Sequence, residues 1–496
     1  MSKVLLAIDQ GTTGSTAAIF DYDSLRVLAQ HSVDFPQHYP SPGLVEHSPG
    51  DIWRSVLQAI SAALTKWNGS TSDIAAIGIT NQRETTLAWN RKSGATLGSA
   101  IVWQDRRTAP YCEKLKREKK TLSAVHKKTG LVIDPYFSAT KMRWILQENA
   151  EAASLARQKN LCLGTIDTFL IWRLTGGDTF ATDHTNACRT MLYTLERGSF
   201  DSELCSLFKV PKEALPEIRD NTSHFGVTKD VPGLPDGIPI CGSIGDQQAA
   251  LLGQGCQSPG EAKITYGTGA FCLLNIGKKP LFSKHGLLTS VGFSAQNART
   301  FVLEGSAFIA GAAVQFLRDQ FGWFKEASEC EELALKDPRD PNLVFIPALV
   351  GLGAPYWNPS ARGALFGLTR GSTQSQIVRA VLESIALQNV QLLQTMRKAY
   401  TKPLKRVGVD GGASQNNALM QFQADTLGAK LVRPENIETT SKGAAIAAKL
   451  GLDPGAPAAS AEEMHEFIPQ MKKTDVQKIV EHWLSAVEAL NVFYAA

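Results

Sequence analysis

The sequence predicts an α/β protein of two similar domains, and three observations predict it. Strand-like apolar runs alternate with helical patterns, 496 residues exceed what one hydrophobic core supports, and three glycine-rich turns each follow a short apolar run. Val4 to Ile8 leads into Asp9-Gln10-Gly11-Thr12-Thr13-Gly14, Ala262 to Thr265 into Tyr266-Gly267-Thr268-Gly269, and Arg406 to Val409 into Asp410-Gly411-Gly412-Ala413. The runs are rich in Val, Ile and Thr, which suits buried strands feeding tight loops.

In chain order, Ile52 to Trp67 carries an amphipathic helical pattern, Ile74 to Thr80 reads as a strand, and Leu87 to Trp89 and Ala100 to Trp103 as further strands. The helical pattern of Asp246 to Leu252 breaks at Gly-Gln-Gly-Cys-Gln-Ser-Pro-Gly over Gly253 to Gly260. That break predicts the junction, with domains at 1–254 and 255–496. Beyond it come a strand at Phe301 to Leu303, a helix through Ala310 to Phe321, a strand at Leu343 to Pro347 and a long helix from Gln374 to Thr401. Lys336 to Asn342 and Asp453 to Ala459 read as loops. From Val476 to the end, Ile479, Trp483, Val487 and Leu490 form an apolar stripe, so this is expected to be a packing helix and not a membrane anchor.

A net charge of +4 on so long a chain gives no footprint for nucleic acid or an acidic membrane. The basic run Lys114 to Lys120 reads as a solvated helix face. The eight Cys contain no C-x-x-C pair, so neither zinc nor a disulfide framework is signalled. Asp9 interrupts the first apolar run too early for a secretory signal, and the expected location is the cytoplasm.

Glycine in the three turns lets backbone N–H groups approach phosphate oxygens, and threonine hydroxyls add donors. None of the turns fits the patterns G-x-x-x-x-G-K-[ST] or G-x-G-x-x-G, and any one alone is more often only a turn. Other local features have equally plain readings. Asp246 follows Gly245 just before a helix and could be a cap, Arg83 beside Glu84 could be a solvated pair, and Asp9 could merely stabilise its turn.

Longer motifs raise the resolution. Tyr136-Phe137-Ser138-Ala139-Thr140-Lys141-Met142-Arg143-Trp144-Ile145-Leu146-Gln147-Glu148, and Gly363-Ala364-Leu365-Phe366-Gly367-Leu368 followed by Gln376 to Glu383, resemble the two signatures of the FGGY carbohydrate kinases. Ile79 to Thr86, Ile101 to Gln104 with Arg106 to Thr108, and Gly245 to Ala250 resemble the glycerol-phosphorylating members. The resemblance spans essentially the whole chain. It implies two ribonuclease-H-like domains of the actin, Hsp70 and hexokinase type, closing on ATP. It implies Asp246 as general base, and Arg83, Glu84, Trp103, Tyr136, Asp246, Gln247 and Phe271 around glycerol. It further implies Thr12, Thr13, Gly14, Gly267 and Thr268 at the phosphates, Gly311, Gln315, Gly412 and Asn416 along the nucleotide, and Asp9 with Asp246 at Mg²⁺. A homodimer or tetramer is the implied assembly.

Two departures stand out. Gly14 and Thr16 occupy positions where many bacterial members have Ser and Arg, removing one cationic phosphate contact. Leu234-Pro235-Asp236-Gly237 lacks the Arg-bearing glycine loop through which some members bind fructose 1,6-bisphosphate, so no inhibition by that sugar is expected. Two other readings compete. A xylulose-type kinase shares the W-x-D-x-R arrangement at Trp103, Asp105 and Arg107, and a nucleotide-driven scaffold of the actin and Hsp70 superfold would need no polyol base.

Overall fold

The computed structural model describes residues 3–457 and 464–495. The first sheet consists of β1 (Val4–Gln10), β2 (Gly14–Asp21), β3 (Val27–Asp34), β4 (Ile74–Asn81) and β5 (Ile240–Gly245), in the order β5-β4-β1-β2-β3. β1, β2 and β3 form an antiparallel meander, while β4 runs parallel to β1 and β5 parallel to β4. The second sheet consists of β6 (Glu261–Tyr266), β7 (Ala270–Gly277), β8 (Leu288–Ala295), β9 (Ala298–Ala307), β10 (Arg406–Asp410), β11 (Leu431–Pro434) and β12 (Met464–Phe467). Its order is β8-β9-β7-β6-β10-β11-β12. β6, β7 and β9 repeat the antiparallel meander, and β10 and β11 repeat the parallel additions. The same five-strand topology therefore occurs twice, with β8 and β12 as extra edges, which is the repeated ribonuclease-H-like arrangement.

The helices that matter to the site are α1 (Pro49–Trp67), α2 (Ser138–Glu148), α3 (Asp246–Gly253), α4 (Gly311–Phe321), α5 (Gln374–Ala399), α6 (Asn417–Leu427), α7 (Thr439–Leu452) and α8 (Lys473–Phe493). Ser48 caps α1 by accepting from the Asp51 N–H, and Ile52, Val56, Ala59, Ile60 and Ala63 form its buried stripe. Alternation along β1 divides its side chains between two cores. Leu6 and Ile8 pack with Ile52, Val56 and Ile60 of α1, whereas Leu5 and Ala7 pack with Ala444, Ala445 and Ala448 of α7. Both faces of β1 are thus covered, and its near-continuous apolar run is explained.

α7 comes late in the chain yet lies on the first sheet and against α3. Glycine makes that approach possible, because a Cβ on Gly443 would sit 1.9 Å from the Ala249 carbonyl oxygen.

Some expected boundaries move. Of Ala100 to Trp103 only Ala100–Ile101 is strand, and Trp103 sits in the following turn. The basic run is split between helices Ala109–Lys116 and Lys119–Thr129, so no single face carries it. α8 begins at Lys473 and buries Val480, Trp483, Val487 and Leu490. The loop expected over 453–459 is described only to 457, and its last two residues lie outside the described residues. Among the described residues no helix is long and apolar enough to cross a membrane.

Candidate active site

Parallel pairing brings the ends of β1, β4 and β5 to one edge of the first sheet. Thr80 on β4 is flanked by Asp9 of β1 on one side and Ile244 of β5 on the other, two residues before Asp246. Ligand sites in such sheets lie beyond the carboxyl ends of the strands, and this edge collects the charged residues picked out from the sequence. β4 runs directly into Gln82, Arg83 and Glu84.

Arg83 and Glu84 are buried, which removes the solvated-pair reading. Arg83 Nε lies 3.2 Å from Asp246 Oδ1, and its Nη1 donates to Glu304 Oε1 at 3.0 Å and to Gln248 Oε1 at 3.0 Å. Arg189 Nε donates to Glu84 Oε1, while Arg189 Nη1 lies 3.2 Å from Glu304 Oε2 and donates to Ser290 Oγ at 2.9 Å. Two guanidiniums and three carboxylates thus share one cluster, buried except at Asp246. Burial pushes the Glu304 carboxyl up, but Arg189 and Arg83 outweigh it and bring the group down to about 2. For Glu84 burial wins over the same two arginines and the carboxyl is raised. Glu84 has φ of 62°, a left-handed conformation unusual for its type, and the Thr86 and Ser138 hydroxyls hold its carbonyl at 2.9 and 3.0 Å.

Asp246 opens α3, but Gly245 occupies the cap position and makes no side-chain cap bond. The Asp246 carboxylate instead accepts from the Gln247 backbone N–H at 2.7 Å and from Gln247 Nε2 at 3.2 Å, and it stays partly exposed to the cleft. Simple capping therefore does not describe this residue.

Aromatic rings adjoin the charged cluster. Trp103 meets Tyr136 edge-on at 5.6 Å and Phe271 at 6.5 Å, and its indole Nε1 donates to Thr12 Oγ1 at 3.0 Å. The Arg189 guanidinium lies 5.4 Å from the Tyr136 ring. Burial, with Glu84 nearby, raises the Tyr136 phenol, so it is a neutral hydroxyl that can donate or accept. Through Arg189 and Glu304 these contacts join Arg83, Glu84, Trp103, Tyr136, Asp246, Gln247 and Phe271 into one wall that presents donors, acceptors and apolar faces together.

Asp9 faces the same cleft. Burial, then the charges of Asp246 and Glu438, pushes its carboxyl up to about 8. Two carboxylate-bearing strand ends that repel one another are a donor set suited to a hard divalent cation that keeps part of its water.

The second sheet, which already contributes Phe271 and Glu304, also carries a glycine turn of its own. The turn between β6 and β7 exposes Gly267 and Thr268, and it is fastened to the start of α4. Gly311 N–H donates to the Gly267 carbonyl at 2.9 Å and Ala310 N–H to the Thr268 carbonyl at 2.7 Å. A Cβ on Gly311 would lie 2.8 Å from that Gly267 oxygen. Gln315 projects from α4 as an exposed side chain, and a Cβ on Gly412 would meet nothing within 4 Å. Asn416 caps α6 by accepting from the Leu419 N–H at 2.8 Å, so its amide is partly committed to the helix. In the first loop Thr13 is exposed, and Gly14 begins β2 so close to β3 that a Cβ would lie 2.9 Å from the Val33 carbonyl oxygen. Thr16, farther along β2, shares a hydrogen bond with Ser32 at 2.7 Å.

Sequence reasoning overlooked Arg189, Glu304, Lys263 and Lys141. Each is a charge inside an otherwise buried segment, and each is 4% exposed or less. The available signal was a charged residue in an apolar run, as Glu304 after Phe301-Val302-Leu303, since such residues are rarely buried without a specific partner. Lys141 Nζ donates to the Pro135, Tyr136 and Phe137 carbonyls at 3.0, 2.6 and 3.1 Å, which fixes the segment bearing Tyr136.

The chain is 50% identical over 452 residues to glycerol kinase of Bdellovibrio bacteriovorus, covering 91% of each chain. The crystal structure of Plasmodium falciparum glycerol kinase with ADP superposes with a TM-score of 0.91 at 33% identity, covering 99% of this chain and 98% of that one. Ligand-bound xylulose kinase from Lactobacillus acidophilus gives a TM-score of 0.87 at 21% identity, covering 99% of each chain, and this likeness shows the fold alone. Residues 4–253 match the N-terminal domain, and residues 262–452 the C-terminal domain, of one family, and the chain belongs to the FGGY family of carbohydrate kinases.

Proposed function

We propose that this chain phosphorylates glycerol with ATP, giving sn-glycerol 3-phosphate and ADP. The observation that carries the reading is the convergence of Arg83, Glu84, Asp246, Tyr136 and Trp103 on one wall, in a chain 50% identical to a protein named glycerol kinase. Glycerol needs hydroxyl donors and acceptors alternating along a short carbon backbone. Buried Arg83 donates, Glu84 accepts, and the rings of Trp103 and Phe271 contact the carbons. A wall that hydrogen-bonds each hydroxyl rejects analogues lacking one by roughly 10⁴-fold.

Asp246 is the base. Phosphoryl transfer needs little covalent help beyond a carboxylate that orients the attacking hydroxyl. Asp246 accepts the proton of a terminal hydroxyl, whose oxygen bonds to the γ-phosphorus as the bond to ADP breaks. Arg83 at 3.2 Å and the Gln247 donors hold the carboxylate in place. Thr12, Thr13 and Gly14 from one side, with Gly267 and Thr268 from the other, enclose the phosphates. Gly311, Gln315, Gly412 and Asn416 line the rest of the nucleotide. Asp9 and Asp246 would hold Mg²⁺, and a bound divalent ion supplies charge neutralisation at the phosphates. The reaction lies between domains 1–254 and 255–496, with α7 reaching back onto the first. From the family resemblance we also infer a cytoplasmic homodimer or tetramer.

ADP release with Mg·ATP is the test, against glycerol, dihydroxyacetone, xylulose, ribulose and no acceptor. Turnover with glycerol far above the others is expected. Preference for a pentulose would overturn the substrate, and hydrolysis independent of acceptor would favour the nucleotide-switch alternative.

A further inference from the structure

Lys263 lies in the middle of β6 with no exposed surface. Its ammonium donates to Gln247 Oε1 at 2.5 Å and to Thr265 Oγ1 at 2.6 Å, and both acceptors are neutral. A buried cation on neutral oxygens is expensive, since burial strips its water and no carboxylate touches it in these two bonds. Burial accordingly lowers the lysine from its ordinary value, against the through-space pull of Asp410 and Asp246.

The geometry assigns Lys263 as a positioning residue for the transfer step, acting on Asp246 through the side chain of Gln247. A lysine ammonium has three donors and no acceptor, so only the oxygen of the Gln247 amide can face it. The amide nitrogen is thereby turned to Asp246 Oδ2, at 3.2 Å, while the Gln247 backbone N–H holds Oδ1 at 2.7 Å. Without Lys263 the amide could rotate by half a turn and set its own oxygen against the carboxylate. The bond also spans the junction, because Lys263 lies on the second sheet and Gln247 in the helix that ends the first domain.

This assignment rests on the reading of Asp246 as base, and the experiment separates the two. Lys263→Met, Lys263→Gln, Gln247→Ala and the double variant Lys263→Met with Gln247→Ala are compared for kcat and KM. Glycerol binding is followed by tryptophan fluorescence without nucleotide or metal, since Trp103 is in the wall. Misplacing a reacting group by about 1 Å can cost on the order of 10²-fold, so Lys263→Met is expected to lower kcat 10- to 100-fold with KM for glycerol within about threefold. Lys263→Gln, which keeps a donor in the strand, should recover part of that loss. The double variant should be no worse than Gln247→Ala alone, because both substitutions cut the same path. Losses in the double variant that multiply, or Lys263→Met with kcat within twofold of the parent, would overturn the assignment. If Lys263→Met does not fold, Lys263→Gln with Gln247→Ala makes the same cycle. Turnover retained by Asp246→Asn would instead overturn the base.

Discussion

Replacing Glu304 by Gln tests how the buried charge cluster is held together. Glu304 comes from β9 in the second sheet and partners Arg83 and Arg189, both from the first half of the chain. The substitution keeps the shape but leaves two buried guanidiniums with less negative charge. The Glu304 carboxyl falls from an ordinary 4.5 to about 2 on folding, because the arginines outweigh burial. That gap of roughly 2.5 pH units, at 1.36 kcal/mol each, amounts to about 3 kcal/mol. It agrees with the 3–5 kcal/mol expected when one partner of a buried pair is removed. The sign follows from a depressed folded value: the stabilisation is complete above pH 4.5 and is lost as pH falls from 4.5 through 2. Urea denaturation of both proteins from pH 7.5 to 3.5 measures it, with the parent-minus-variant difference as readout. A difference of about 3 kcal/mol should hold down to pH 5 and shrink by about 1 kcal/mol at pH 3.5. A difference below about 1 kcal/mol, or one that grows on acidification, would refute the reasoning.

Asp246→Asn should lower kcat by roughly 10²–10⁴-fold, the range general-base catalysis contributes, while glycerol binding, followed by tryptophan fluorescence, is largely kept; near-parent turnover would mean another base. Gly443→Ala forces a methyl to within 1.9 Å of the Ala249 carbonyl, and separating α7 from α3 is expected to cost at least about 1–3 kcal/mol of thermal stability. An unchanged melting temperature would show that the two helices part freely. Fructose 1,6-bisphosphate at low millimolar concentration should leave activity unchanged, since Leu234-Pro235-Asp236-Gly237 offers no arginine; clear inhibition in a steady-state assay would contradict this.

Sequence alone determined the local features of this protein. Val4 to Ile8, Ala262 to Thr265 and Arg406 to Val409 are strands because β-branched apolar residues fit a buried pleated surface, and the glycines after them permit the turns. The amphipathic stripe of α1 and the length of α5 were legible from spacing for the same local reason. The motif residues Arg83, Glu84, Trp103, Tyr136 and Asp246 were also visible in the sequence. The hairpin of β2 and β3 was not, because Gly14 to Ala18 has little alternation and its pairing is decided by neighbouring strands. Only the tertiary structure decided that Arg83 is buried against Glu304, 221 residues away, and that α7 returns to the first sheet. The same holds for Lys263, which reads locally as one polar residue in a strand and acquires its meaning from Gln247 across the junction. Propensity and capping act over a few neighbours along the chain, whereas the desolvation that makes a charge matter depends on what the whole fold places around it.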